Sequence, residues 1–224
     1  MSGLPFQPVF ERLPGTLPVF PLDGVLLLPR GRLPLNVFEP RYINMVQDVL
    51  ATPERLIGII QPSGAAGPGG GREPALYPVG CAGRISAFSE TEDGRLVLTL
   101  TGVCRFQAGA ELATTRGYRR VAADWSRFRD DMREEGDAGL DRARLLASLR
   151  AYFKRQGLQA DWDAVASTPD ERLVTTLAMV CPFAPQEKQA LLEAPDLPER
   201  ARALLTLLEI AAVDDGGGGE SVRH

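Results

Sequence analysis

Leucines at 96, 98 and 100 alternate with Val97, Thr99 and Thr101, the period-two pattern of a strand with one buried face. Apolar runs at 17–22, 25–28, 33–38 and 56–60, and extended stretches at 76–88, 103–106 and 118–125, predict further strands. Five prolines and two glycines punctuate residues 17–42, so this stretch must fold as short extended pieces with fixed corners. Asp23-Gly24 predicts a hairpin between 17–22 and 25–28, and Asp93-Gly94 predicts a type I′ hairpin before the alternating leucines. One helix interrupts the strands. Pro40 suits a first helical turn, Glu39 lies near the N-terminal cap, and Tyr42, Met45, Val46 and Val49 recur at spacings of three and four, predicting a helix over 40–51. Residues 62–74, rich in glycine, alanine and proline, can bury little and read as a mobile loop. Six or seven strands with one inserted helix amount to a small β-barrel or rolled sheet over residues 13–126.

Beyond residue 126 the period changes. Residues 127–137 are mostly charged and read as a linker or a solvated helix start. Leu145, Leu146, Leu149, Tyr152 and Phe153 then form a helical stripe that stops at Gly157, and Asp161 is placed to cap a short helix. Thr168-Pro169-Asp170-Glu171 has the form of a capping box and opens a helix to about residue 180. Asp196-Leu197-Pro198-Glu199 repeats that logic for a last helix, with Ala201, Leu204, Leu205, Leu208 and Ala212 facing inward. Four helices with short connections predict a bundle. The expected fold class is therefore α+β: a β-domain over 1–126, a four-helix bundle over 127–213, and a disordered tail over 214–224.

Composition narrows the function. A chain of 224 residues with 44% hydrophobic and 24% charged content is ordinary for a globular protein. No apolar run approaches the roughly 20 residues that cross a bilayer, and the first residues have neither a basic nor an apolar leader segment. With three widely spaced cysteines, Cys81, Cys104 and Cys181, the expectation is a cytoplasmic protein with reduced, buried thiols and no membrane contact. Net charge is −4, with twelve basic against eleven acidic residues up to Ser126 and thirteen against eighteen beyond it. The single histidine, His224, ends the glycine-rich tail, which removes mechanisms built on a positioned imidazole. No set of Cys, His or carboxylates has metal-ligand spacing. Neither a metal, a cofactor nor a catalytic set is expected, and the chain reads as a non-enzyme.

Four ordered blocks carry a resemblance: Leu-Pro-Val-Phe-Pro-Leu at 17–22, Leu-Pro-Leu-Asn-Val-Phe-Glu-Pro-Arg-Tyr at 33–42, Leu-Tyr-Pro-Val-Gly-Cys-Ala-Gly-Arg-Ile at 76–85, and Asp-Gly-Arg at 93–95 before Leu-Thr-Gly-Val-Cys-Arg-Phe at 100–106. The chain resembles the N-terminal domain of the Lon ATP-dependent proteases, and more closely the stand-alone bacterial form of that domain. The resemblance implies a PUA-like β-domain followed by a helical bundle, and a role in recognising unfolded or extended polypeptides, as an adaptor or chaperone-like factor with a Lon-type protease as a further partner. It does not imply proteolysis. The chain has no Gly-x-x-x-x-Gly-Lys-Ser/Thr loop, since Gly69-Gly70-Gly71-Arg72 lacks the lysine, and no serine motif accompanies Lys154 or Lys188.

Phe38, Glu39, Arg41 and Tyr42 are the candidate binding residues, two aromatics and an opposite-charge pair at the start of the inserted helix. The competing reading has Glu39 capping that helix and Arg41 lying over the β-domain. Two other functions remain open. PUA-like folds include RNA binders, and Arg105, Arg116, Arg119 and Arg120 form a local basic cluster; a pI near 5.2 and the lack of interleaved aromatics weigh against nucleic acid. A carboxylate-based enzyme would need two acids converging in a pocket.

Overall fold

The alternating and apolar runs assemble into one mixed sheet of six strands: β1 (Thr16–Pro21), β2 (Arg32–Val37), β3 (Leu56–Ile60), β4 (Val79–Glu90), β5 (Leu96–Leu112) and β6 (Arg119–Asp124). This is a computed structural model, and it describes residues 8–64, 73–113, 116–133 and 138–213. The core of the expected glycine-rich loop, 65–72, and the expected tail, 214–224, lie outside the described residues. Strand order is β2-β5-β4-β3-β1-β6, with β1 and β3 parallel and the other pairings antiparallel. The seventeen residues of β5 pair with β2 through their first part and with β6 through their last. One strand serving both ends of the sheet forces it to roll. The fold is α+β, and its β part is the rolled-sheet form of the two expected.

The chain forms two compact units, residues 1–135 with 175–193, and residues 136–174 with 194–224. In the first, α1 (Pro40–Leu50) buries Tyr42, Met45, Val46 and Val49, the stripe its spacing predicts. Phe106, fully buried, packs where β3 and β4 carry glycine: a Cβ on Gly58 or Gly80 would lie within 3 Å of its ring. Gly102 is tighter still. Arg30 N donates to Gly102 O at 2.8 Å, Gly102 N donates to Gly31 O at 2.8 Å, and a Cβ on Gly102 would stand 1.9 Å from Leu28 O. The proline-cornered segment is thus pressed onto β5 backbone to backbone.

That contact corrects one expectation. Residues 25–28 form no strand; Gly24 has the positive φ a turn requires, but Leu26, Leu27 and Leu28 turn their side chains into the core and the backbone joins no ladder there. The hairpin at 93–94 does form, with Glu90 opposite Leu96. Only Gly94 takes positive φ, and Thr91 N bonds Arg95 O across a loop longer than a type I′ turn.

The run after β6 also differs from expectation. Instead of a solvated start, residues 126–132 form a 3₁₀ helix that buries Phe128 and Asp131. Arg105 on β5 and Asp131 are each only 3% exposed. Nε and Nη2 of Arg105 bond the carboxylate at 2.9 and 2.7 Å, the Arg105 backbone N–H donates to it at 2.9 Å, and Nη1 reaches Leu192 O at 3.0 Å. Arg30 Nη1 adds a bond to Asp131 O at 2.8 Å.

Five helices follow where four are expected: α2 (Arg142–Gln156), α3 (Trp162–Ser167), α4 (Asp170–Val180), α5 (Pro185–Glu193) and α6 (Leu197–Val213). Asp141, Asp161 and Asp196 cap α2, α3 and α6 through backbone N–H groups. Thr168 donates its hydroxyl to Ala164 O, closing α3. The additional helix, α5, belongs to the first unit. Its Gln189 donates to Val79 O at 3.1 Å, and its buried Lys188 donates from Nζ to Gly24 O and Met179 O. In the second unit α2 and α6 pack with Leu145, Leu149, Tyr152, Leu204 and Leu208 buried, and Arg144 makes a two-pronged bond to Glu209.

Two stability measurements test these contacts. Gly102→Ala should lose at least about 3 kcal/mol in chemical denaturation, because the obstacle is backbone, whereas Gly15→Ala, with open space around its Cβ, should shift stability by less than about 0.5 kcal/mol. Asp131→Ala should cost about 3–5 kcal/mol by stranding the Arg105 charge, and replacing both partners (Arg105→Met with Asp131→Leu) should recover most of that loss.

Candidate functional site

The candidate residues at the start of α1 divide into two groups. Glu39 occupies the cap position with extended backbone, yet its side chain makes no cap bond. It instead accepts from Arg41 Nε at 3.0 Å, while Arg41 Nη1 donates to Glu73 Oε1 at 2.8 Å. The Arg41 guanidinium lies 4.6 Å from the centre of the Tyr42 ring, and that ring stacks on Phe20 at 4.0 Å. Tyr42 is 5% exposed, and burial pushes its phenol pKa up. These three residues form one packed set. Phe38 stands apart from it, 62% exposed, with the Arg95 guanidinium 6.0 Å from its ring centre.

Arg95 leads to a feature that the sequence pattern does not disclose. Between α1 and the β4–β5 hairpin is an open cleft of about 160 Å³, lined by Ile43, Gln47 and Leu50 of α1 and by Phe88, Glu90 and Leu96 among the hairpin residues. Ile43, Gln47 and Leu50 recur at spacings of four and three, so they form a second stripe beside the buried one. The hairpin side depends on an irregularity. Ile85 is opposite Leu100 and Ala87 opposite Thr99, so Ser86 is an extra residue, held by its Oγ donating to Thr99 O at 3.0 Å. After it the phase of β4 inverts. Phe88 comes opposite Leu98 and Glu90 opposite Leu96, which places both on the apolar face of the sheet. Phe88 remains 50% exposed there. Strict alternation from Ile85 would have directed Phe88 the other way; the glycine-flanked turn and the Ile85-to-Phe88 spacing are the only traces of the cleft in the sequence.

Electrostatics divide the surroundings. Arg116 donates to Asp48, Asn44 and Gln47 on the far flank of α1, and Tyr118 donates to Asp48 at 2.8 Å, with burial and that carboxylate pushing its pKa up. Arg119 pairs with Glu111 and Glu73 and donates to Pro74 O. On the hairpin Asp93 pairs with Arg95 at 2.8 Å, whereas Glu90 and Glu92 are exposed and have no ion-pair partner among the described residues.

The arrangement offers apolar contact rather than reactive groups. Cys81, Cys104 and Cys181 are buried and form no disulfide with one another. Burial pushes the Cys104 thiol up to about 12, with the Asp131 carboxylate adding to the effect, and burial likewise pushes Cys181 to about 12. Among the described residues no group of three or more His, Cys, Asp or Glu could hold a metal ion, and no helix is long and apolar enough to cross a membrane.

Comparison with known proteins places this architecture. Residues 16–209 match the family model of the ATP-dependent protease La (LON) substrate-binding domain. The chain is 26% identical over 200 residues to Lon protease 2 of Myxococcus xanthus and 27% identical over 200 residues to the Lon protease of Roseiflexus castenholzii. Each alignment covers 88% of this chain but 24% of the relative, so the chain spans about a quarter of the length of the curated relatives it matches. Among solved structures it is similar to a Lon N-terminal domain protein from Xanthomonas campestris, with a TM-score of 0.57, 25% identity, and coverage of 85% of this chain and 97% of that one. The N-terminal domain of a Mycobacterium avium complex Lon protease matches with a TM-score of 0.54 at 16% identity, covering 86% and 97%. By its fold and by a match that runs through nearly all of its described elements, the chain belongs to the Lon substrate-binding domain family.

Proposed function

We propose that this protein is a non-catalytic, cytoplasmic polypeptide-recognition module that holds unfolded or extended chains in the cleft between α1 and the β4–β5 hairpin. The observation that carries the reading is the exposure of Phe38 and Phe88 beside an open cleft lined by Ile43, Leu50, Phe88 and Leu96 together with Gln47, Glu90 and Arg95, since large aromatics left on a surface mark sites of contact with other molecules. A cleft of about 160 Å³ matches in size the cavity of about 150 Å³ that accommodates a benzene ring, so one aromatic or large aliphatic side chain of a bound segment fits it. The free edge of β2, which pairs only with β5, supplies a second element of the same recognition, because an extended chain can add to an unpaired strand. Membership of the substrate-binding family supports a quality-control setting, as an adaptor or chaperone-like factor with a Lon-type protease as partner.

The other readings gain less support. An RNA-binding surface would need free arginines, whereas Arg105, Arg116 and Arg119 bond carboxylates and Arg120 donates to Thr16 Oγ1. A carboxylate-based enzyme would need two converging acids, and the cleft lining holds one, Glu90.

Fluorescence anisotropy with a permanently unfolded probe, reduced and carboxymethylated α-lactalbumin, tests the reading. Phe88→Ala should weaken binding about five- to tenfold, while Ile210→Ala, a change at an exposed position in the second unit, should leave it unchanged. No binding by the parent protein, or equal loss in both variants, overturns the proposal. The thiols supply a separate check on the non-catalytic part. A pKa of about 12 leaves Cys104 and Cys181 protonated at neutral pH, so alkylation by iodoacetamide should be negligible in the folded protein and become complete only in denaturant. Rapid native labelling of either cysteine would contradict it.

A further inference from the structure

The cleft has chemistry beyond its apolar floor. Glu90 comes opposite Leu96, on the face of the hairpin that should be apolar, and a carboxylate that breaks the pattern without an evident structural partner marks a functional position. Its neighbour Glu92 is likewise exposed and without an ion-pair partner among the described residues. The cation in the hairpin turn, Arg95, has its Nε engaged by Asp93 at 2.8 Å. Arg116 donates to Asp48, Asn44 and the cleft-lining Gln47 on α1. Arg95 itself lines the cleft but is paired with Asp93, so the hairpin turn, with Glu90, Glu92 and Asp93 against that one arginine, carries an excess of negative charge beside Ile43, Leu50, Phe88 and Leu96.

We infer that the cleft selects extended polypeptide segments in which an aromatic or large aliphatic residue is flanked by lysine or arginine. The inference rests on the polypeptide-recognition reading and specifies its substrate class. The apolar side chain enters between α1 and Phe88, and a flanking cation takes the position over Glu90 and Glu92. A flanking carboxylate at the same place meets two like charges within a Debye length of about 10 Å at 0.1 M salt. Because the rim carboxylates are exposed, they bias the choice of partner more than they strengthen binding, and the bias is salt-sensitive.

Two fluorescein-labelled decapeptides test this, each with a central phenylalanine in a Gly/Ser background, one with two arginines on either side and the other with glutamates in their place. At 50 mM salt the arginine peptide should bind about fivefold or more tighter than the glutamate peptide, and the ratio should fall below about two at 1 M salt. The double variant Glu90→Lys with Glu92→Lys, checked for an unchanged melting temperature, should reverse the order. Asp130→Lys with Asp163→Lys, which makes the same change in net charge at positions that do not line the cleft, should preserve it. Equal affinity for both peptides, preference for the glutamate peptide, or an order that follows net charge wherever it is placed overturns the inference and leaves the polypeptide reading standing. Failure of both peptides while unfolded α-lactalbumin binds also overturns it. Failure of both peptides and of the unfolded protein removes the broader reading with it.

Discussion

The first unit depends on an ion pair placed where water is excluded. Arg105, in the middle of the longest strand, and Asp131, in the 3₁₀ helix after β6, are almost wholly buried. Such a pair carries a desolvation penalty of several kcal/mol per ion, which attraction offsets only when the geometry is good and the remaining polar atoms are satisfied. Both conditions hold. Both carboxylate oxygens are bonded by the guanidinium, one also accepts the Arg105 backbone N–H, and the guanidinium extends to the Leu192 carbonyl at the end of α5. The pair thereby joins β5, the 3₁₀ helix and the end of α5 through directed bonds.

With the middle of β5 held in this way, the two ends of the strand have different fates. Toward its C-terminal end it bends away to meet β6, and the sheet rolls. Near Gly102 the backbone of the 28–31 corner lies directly on it, an approach that no side chain would permit. Toward its N-terminal end the apolar face runs on past the helix that covers it. α1 buries one stripe against the roll and leaves a second facing the hairpin, so the cleft is the space between a helix that stops at Leu50 and strands that continue to Glu90 and Leu96. Leu96 is buried there, whereas Phe88 remains half exposed.

The same economy governs the arginines. A protein nearly devoid of lysine has few other cations, and several of the arginines in the first unit are used for fixed, forked bonds: Arg41 to Glu39 and Glu73, Arg116 to the α1 flank, Arg119 to Glu111, Glu73 and Pro74 O. Guanidinium geometry suits such bridging, and charge spent on it is not available to a phosphate backbone. The hairpin turn beside the cleft has an excess of carboxylates: Arg95 answers Asp93, while Glu90 and Glu92 have no ion-pair partner among the described residues. The cleft thus combines apolar side chains with a hairpin turn in which carboxylates outnumber arginines, the combination on which the proposed selection among polypeptides rests.

Local rules written in the chain decided a good deal. Alternation at 96–101 specified a strand with one buried face, Pro40 and the Tyr42-Met45-Val46-Val49 spacing specified α1, and Asp161 and Asp196 marked helix starts, because each depends only on neighbours within a turn or a strand pair. The four blocks that carry the family resemblance are of the same kind, being corners and strands whose residues are dictated by backbone geometry. Pro185 and Glu187 were available signals for α5, weakened because the helix buries a lysine and a glutamine against the sheet and so lacks a clean apolar stripe. What no local rule could supply was partnership at long range. Asp131 reads as one more solvated acid until Arg105 is brought to it, residues 25–28 read as a strand until Gly102 draws their backbone out of the ladder, and Phe88 reads as outward-facing until Ser86 adds a residue to β4. Burial, register and the cleft itself follow from contacts between residues tens of positions apart, and those are settled only when the whole sheet rolls.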